Sequence, residues 1–208
     1  MAQHNYDPSW ELSVRSRLIK RTFDIVAAIF ALFCTGWIIA MAFIAATIDT
    51  RKSGFYTQVR VGRHGKPFRI LKIRTMRNSP FVTTRVTTAN DTRITRLGRA
   101  MRKLKVDELP QLLNVLAGQM SFVGPRPDVP GFADRLCGDD RIILTVRPGI
   151  TGPATLKYRH EESLLAGQEN PELFNREFLY PNKVQINKDY VRYYNFSKDL
   201  KCLWMTFF

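Results

Sequence analysis

The sequence predicts a mostly helical α+β chain, with an N-terminal membrane helix ahead of a compact domain of short strands and interfacial amphipathic helices. Three observations carry this. Residues 25–48 form an uncharged apolar run. Extended segments bracket a turn-rich stretch between residues 55 and 76. Leucines recur at helical spacing through 104–116, and an aromatic, basic stretch closes the chain. The division expected from these is a membrane-association segment at 1–50 and a folded domain at 51–208. With 45% hydrophobic and 24% charged residues, the 208-residue chain can bury a core, which excludes a disordered tail or a fibre. Its three cysteines are irregularly spaced, which argues against a disulfide framework or a zinc ribbon.

The run at 25–48 exceeds the roughly 20 apolar residues that a helix needs to cross the hydrocarbon core. A cleaved signal peptide and a buried helix of a soluble protein are the competing readings. The run is longer than a signal-peptide core and apolar on every face, which favours a retained membrane helix. Its flanks are basic on both sides, Arg15, Arg17, Lys20 and Arg21 before it and Arg51, Lys52, Arg60 and Arg63 after it. Basic residues collect on the cytoplasmic side, so a single span cannot satisfy both flanks, whereas a re-entrant helix over about 22–48 can. Cys34-Thr35-Gly36-Trp37 is the expected break, since glycine permits unusual backbone angles and a small hydroxyl or thiol can bond a freed carbonyl.

Phe55-Tyr56-Thr57 and Phe68 to Arg74 read as strands joined by a turn at 62–67. Trp10, Leu12, Val14 and Leu18 suggest a short interfacial helix, and the threonine-rich residues 78–92 a mobile loop. Residues 93–117 read as helical and 118–160, rich in proline and glycine, as ordered loops with short elements. The stretch 187–208 suits a helix lying on a membrane surface or packed as a terminal helix.

The net charge is +14, and one stretch holds the excess: residues 51–105 carry sixteen basic side chains against a single acid, Asp91. Such a block faces a phosphate-rich partner or is a plain basic surface. Acidic residues enter at Asp107-Glu108. Pro110 fits a helix only in its first turn, which places a helix start near Asp107. Asp107 is then either an ordinary N-cap or an ionised nucleophile or magnesium ligand, its pKa lowered by the helix dipole. Arg126, between Pro125 and Pro127, and Arg147, before Pro148-Gly149, are held on stiff turns; each suits bidentate phosphate recognition or a carboxylate partner. There is no Walker A loop, no G-x-G-x-x-G and no H-E-x-x-H, and His4, His64 and His160 stand alone.

Five ordered motifs resemble the bacterial sugar transferase family of monotopic polyprenyl-phosphate phosphoglycosyl transferases. They are Lys20-Arg21-x-Phe23-Asp24, Lys72-Ile73-Arg74-Thr75-Met76, Arg102-x4-Asp107-Glu108-Leu109-x-Gln111-Leu112-x-Asn114, Gly118-x-Met120 to Pro127, and Val146 to Gly152. The resemblance covers roughly 18–205. It implies transfer of a phosphosugar from a UDP-sugar to a polyprenyl phosphate, with UMP released, at the cytosolic face of the bacterial inner membrane. It implies Asp107 as the nucleophile forming a covalent phosphosugar intermediate, Glu108 assisting, and magnesium on the diphosphate, with Asp107 the expected ligand. Lys72, Arg74, Arg102, Arg126 and Arg147 are the expected phosphate- or substrate-binding residues. The partners implied are the UDP-sugar donor, the polyprenyl phosphate acceptor and membrane lipid, and no nucleic acid.

The chain departs from the family's pattern twice. The Ser-Pro pair frequent at the bend of the membrane helix is replaced by Gly36-Trp37, and Gly152 is followed by Pro153-Ala154-Thr155-Leu156-Lys157-Tyr158-Arg159 rather than a Trp-Ala-Gln-Val-type continuation. A membrane-tethered nucleic-acid-binding protein using residues 51–105 is the rival reading; that block contains no helix-turn-helix or RNA-binding motif.

Overall fold

The computed structural model of the chain describes residues 10–77 and 91–207. The threonine-rich loop expected at 78–92 lies, but for its last two residues, outside them.

The first element is one helix, α1 (Val14–Thr50), capped by the Ser13 hydroxyl, which accepts from the Ser16 amide, and closed by Arg51 in the left-handed conformation. It absorbs the short interfacial helix expected near residue 18. It also runs through Cys34–Trp37 without a break: the Thr35 hydroxyl does donate back to the Ala31 carbonyl, at 2.7 Å, but that carbonyl stays within the helix. The expected interruption is therefore absent, because with no proline nothing removes a backbone donor there.

The faces of α1 divide sharply. Lys20, Asp24, Ala28, Ile39, Ala42 and Ala46 follow one another at helical spacing and are buried. On the opposite side Val26, Phe30, Phe33, Trp37, Met41 and Ile48 are exposed, Phe33 by 86%. Only 17% of its most apolar stretch is buried, which does not fit the core helix of a soluble protein. Ala42, Ala46 and Ile39 pack with Ile73 and Met101, while Ala28 packs with Ile70, Val115 and Met120.

After α1 the chain doubles back. A Cβ on Gly54 would lie 2.1 Å from the Phe43 carbonyl oxygen, so only glycine fits where the chain folds against the helix. The antiparallel strands β1 (Phe55–Val61) and β2 (Pro67–Ile73) follow, joined as expected by a turn at 62–66, with Phe55 opposite Ile73. The region 93–117 is not one helix. It comprises α2 (Arg96–Lys103), a 3-10 turn (Val106–Glu108) and α3 (Gln111–Leu116). The strands β3 (Ser121–Val123) and β4 (Gly149–Thr151) pair in parallel, separated by loops and 3-10 turns.

Helices α4 (Pro153–Lys157), α5 (Glu161–Ala166), α6 (Pro171–Phe174), α7 (Tyr180–Arg192) and α8 (Phe196–Phe207) complete the chain. The closing stretch is thus two helices that turn at 193–195. Helix α8 both packs and presents an apolar face: Cys202 is buried, whereas Leu200, Trp204 and Met205 are exposed. Its Asp199, 1% exposed, accepts from Lys20 at 2.5 Å and from the Tyr190 hydroxyl at 2.6 Å, tying α8 to the start of α1.

Candidate active site

Helix α2 begins at Thr95, whose hydroxyl accepts from the Gly98 amide at 2.8 Å. It ends where Lys105 turns left-handed, with φ 57°, a conformation costly for a residue bearing a Cβ. That turn starts the 3-10 segment carrying Asp107 and Glu108. Val106 and Leu109, three residues apart, pack on the α1 cluster and so fix how the two acids are presented. Pro110, with no N–H to satisfy, then precedes α3. Asp107 is therefore not the N-cap that the sequence allowed, since the cap position falls to Pro110.

Glu108 is buried and gripped from two sides. Its Oε1 accepts from Lys72 Nζ at 2.8 Å and from an Arg126 terminal nitrogen at 2.5 Å. Burial alone would raise its carboxyl pKa, but the two cations together hold it well below the usual range. Lys72 responds in the opposite sense, its pKa lowered by burial against the attraction of Glu108. Arg126, exposed along one side, has its pKa raised by Glu108.

Asp107 differs. It is 7% exposed, and its Oδ1 has no hydrogen-bond partner. Burial and the neighbouring Glu108 raise its pKa, and Lys72, Arg102 and Lys105 pull it back only in part. The expected lowering by a helix dipole does not occur, because Asp107 lies on a 3-10 turn ahead of α3. Four residues on, Gln111 is wholly buried and its Nε2 is also without a partner.

Five of the seven candidate residues thus come together: Lys72, Arg102, Asp107, Glu108 and Arg126. Arg102 faces Asp107 electrostatically while pairing with Glu162 of α5. Two do not join them. Arg74 donates to the Ser53 carbonyl at 2.8 Å and to the Phe55 carbonyl at 3.1 Å and lies over the Tyr56 ring, so it fastens the turn between α1 and β1. Arg147 donates through Nε to the Gly118 carbonyl at 2.7 Å and has Arg21, Arg63 and Asp24 for charged neighbours.

Two supports were missed in the sequence. Arg60 neighbours Arg126 and donates to the Pro127 carbonyl at 3.1 Å, steadying the Pro-Arg-Pro turn; its place in a strand gave no sign of this. Asn114 behaves as a piece of strand, its Oδ1 accepting from the Leu71 amide at 3.0 Å and its Nδ2 donating to the Arg69 carbonyl at 2.8 Å. It docks α3 on β2, the strand that carries Lys72, and Arg21 caps the far end of α3 by donating to the Val115 and Leu116 carbonyls.

Among the described residues there is no group of three or more His, Cys, Asp or Glu side chains that could enclose a metal. The unpartnered Asp107 oxygen nevertheless fits a hard cation whose remaining ligands are phosphate oxygens and water, as is usual for magnesium.

A buried acid pair amid fixed cations, packed against a helix with a bare apolar face, is the equipment of an enzyme that handles phosphates next to a membrane. The bacterial sugar transferase family model matches residues 15–208. An uncharacterised sugar transferase of Bacillus subtilis, EpsL, is 37% identical over 193 residues, covering 91% of this chain and 85% of that protein. The undecaprenyl-phosphate galactose phosphotransferase of Salmonella typhimurium is 34% identical over 92% of this chain, which spans 40% of its length. The UDP-glucose:undecaprenyl-phosphate glucose-1-phosphate transferase of Caulobacter vibrioides is 34% identical over 91% of this chain and 68% of its own length. The chain belongs to the bacterial sugar transferase family.

Proposed function

We propose that this protein transfers a phosphosugar from a UDP-sugar to a polyprenyl phosphate, through a covalent intermediate on Asp107. The carrying observation is a buried carboxylate oxygen with no partner beside a glutamate locked by Lys72 and Arg126. A carboxylate spent on a structural bond is a poor nucleophile, and Asp107 is the member of the pair left free for attack. Its oxygen attacks the β-phosphorus, the bond from that phosphorus to the bridging oxygen breaks, and UMP leaves. An oxygen of the polyprenyl phosphate then attacks the same phosphorus, freeing Asp107 and giving a polyprenyl diphosphosugar. Arg126 and Arg102 orient the phosphates, and Glu108 holds Lys72 and Arg126 in position. Bound magnesium, with Asp107 as its protein ligand, would supply neutralisation of diphosphate charge.

The same reading puts the protein at the cytosolic face of the inner membrane, with the unbroken α1 lying along the membrane surface and both its ends on that one side. Lys20 is bonded to Asp199, and Ala46 is packed with Met101, against parts of one folded domain. These positions are about 39 Å apart along the helix, more than the roughly 30 Å of hydrocarbon core. A helix that crossed would need that domain on both sides. Incubation with UDP-sugars, magnesium and undecaprenyl phosphate should release UMP, and without the lipid at most one UMP per protein with label retained on Asp107. No UMP from any UDP-sugar, or label on another residue, would overturn the reading.

A further inference from the structure

A second basic cluster lies by the start of α1 and takes no part in the reaction above. Arg17, Lys20, Arg63 and Arg147 line one cleft, together with Ser121 and Thr145. Most of its charge is matched within the chain. Glu11 pairs with Arg17 and, at 3.0 Å, with Arg63. Asp199 holds Lys20, and Asp24 accepts from the Ser121 hydroxyl and the Phe122 amide.

Arg147 is the exception. Its Nε bonds Gly118, and its two terminal nitrogens have no protein partner among the described residues. Burial disfavours its charge most, and repulsion from Arg21 and Arg63 exceeds the attraction of Asp24. A half-buried guanidinium among other cations is costly until an anion completes it, and its free fork matches two oxygens of a phosphate. The position identifies the source. Arg17 and Lys20 lie within about 12 Å along the helix of Ile25, where the apolar run begins, so the cleft sits at headgroup level.

We propose that this cleft is a second phosphate site, separate from Asp107, which takes the phosphate of an anionic lipid headgroup on the Arg147 fork, with Arg17 and Lys20 beside it. The proposal rests on the membrane placement given above and not on the transfer chemistry.

The test is thermal unfolding of the full chain in a neutral detergent, titrated separately with short-chain phosphatidylglycerol, phosphatidylcholine of equal chain length, and inorganic phosphate. Phosphatidylglycerol should raise the unfolding midpoint saturably, while the other two should not. Arg147→Gln should move the titration about tenfold to higher lipid, Arg17→Gln about fivefold, and Asp107→Asn not at all. If Arg147→Gln fails to fold, Arg17→Gln decides. An equal response to phosphatidylcholine or to inorganic phosphate overturns the lipid assignment. An unmoved titration in the arginine variants, or one lost in Asp107→Asn, overturns the site. UMP release is measured on the same preparations, so failure here is distinguishable from failure of the transferase reading.

Discussion

Replacing Asp107 by asparagine should destroy transfer and strengthen the fold. The carboxyl is 7% exposed, with one oxygen unpartnered, and burial followed by Glu108 raises its pKa above the ordinary 3.8. A carboxyl with a raised folded pKa binds its proton more tightly folded than unfolded. Stability therefore falls as pH rises from 3.8 through that raised value, and burying this carboxyl is a cost on the alkaline side of it. Asparagine keeps the shape and removes the charge. The amide still buries polar atoms, so only the charge is relieved, worth about 1 kcal/mol, or roughly 2–4 °C of melting temperature in a chain of this size. The gain should vanish at acid pH, where the wild-type carboxyl is protonated. Melting curves at several pH values, beside a UMP-release assay, check both halves. Substantial activity in Asp107→Asn, or a variant less stable than wild type at pH 7, would refute the reasoning.

The other expectations are distinct in kind. Glu108→Gln leaves Lys72 and Arg126 facing a neutral amide, so it should destabilise by about 3 kcal/mol; because the folded carboxyl titrates well below 4.5, the loss should persist at pH 5, and a loss confined to higher pH would contradict it. Arg126→Lys keeps the charge but not the fork, and kcat/KM should fall roughly ten- to a hundredfold; near-normal kinetics would reduce Arg126 to a loop support. Single cysteines at Ser13 and Ser53, with the exposed Cys34 and Cys137 replaced, should both resist an impermeant thiol reagent on intact cells, and labelling at Ser13 alone would establish a span. Residues 51–208 expressed without α1 should aggregate rather than unfold cooperatively; a soluble, folded fragment would show that α1 is dispensable to the core.

What was legible in the sequence was what local chemistry decides. The uncharged run made α1, the Gly62–Pro67 stretch made the turn between β1 and β2, and the acid pair stood out because it ends a long basic block. The misreadings arose where tertiary packing overrode a local rule. Pro110 correctly marked a helix start nearby, but Val106 and Leu109 had to face α1, and Lys105 took up a left-handed turn to allow it, which moved Asp107 off the cap. Arg147 looked like Arg126 because both sit on proline-stiffened turns, and Arg74 entered through the family motif. Their partners hold Arg74 and Arg147 apart from the acid pair: carbonyls at the exit of α1 claim Arg74, and the Gly118 carbonyl claims one edge of Arg147. No spacing rule reveals which carbonyl a guanidinium will meet.

The membrane helix and the acid pair are one construction. Helix α1 lends Ile39 and Ala42 to the cluster that includes Val106 and Leu109, the residues on either side of the acids. It lends Arg21 to cap α3, and Asp24 to fix the start of β3, which leads to Arg126. A change in how α1 sits in lipid would therefore reach Asp107 through packed side chains rather than through a flexible tether. This gives a physical reason for burying charged residues at one end of so apolar a helix. Lys20 and Asp24 would be costly against lipid, but bonded to Asp199 and Ser121 they set the register of α1 against the domain. The bare stripe from Val26 to Ile48 faces away from the domain, and the acid pair is carried at a fixed distance from it.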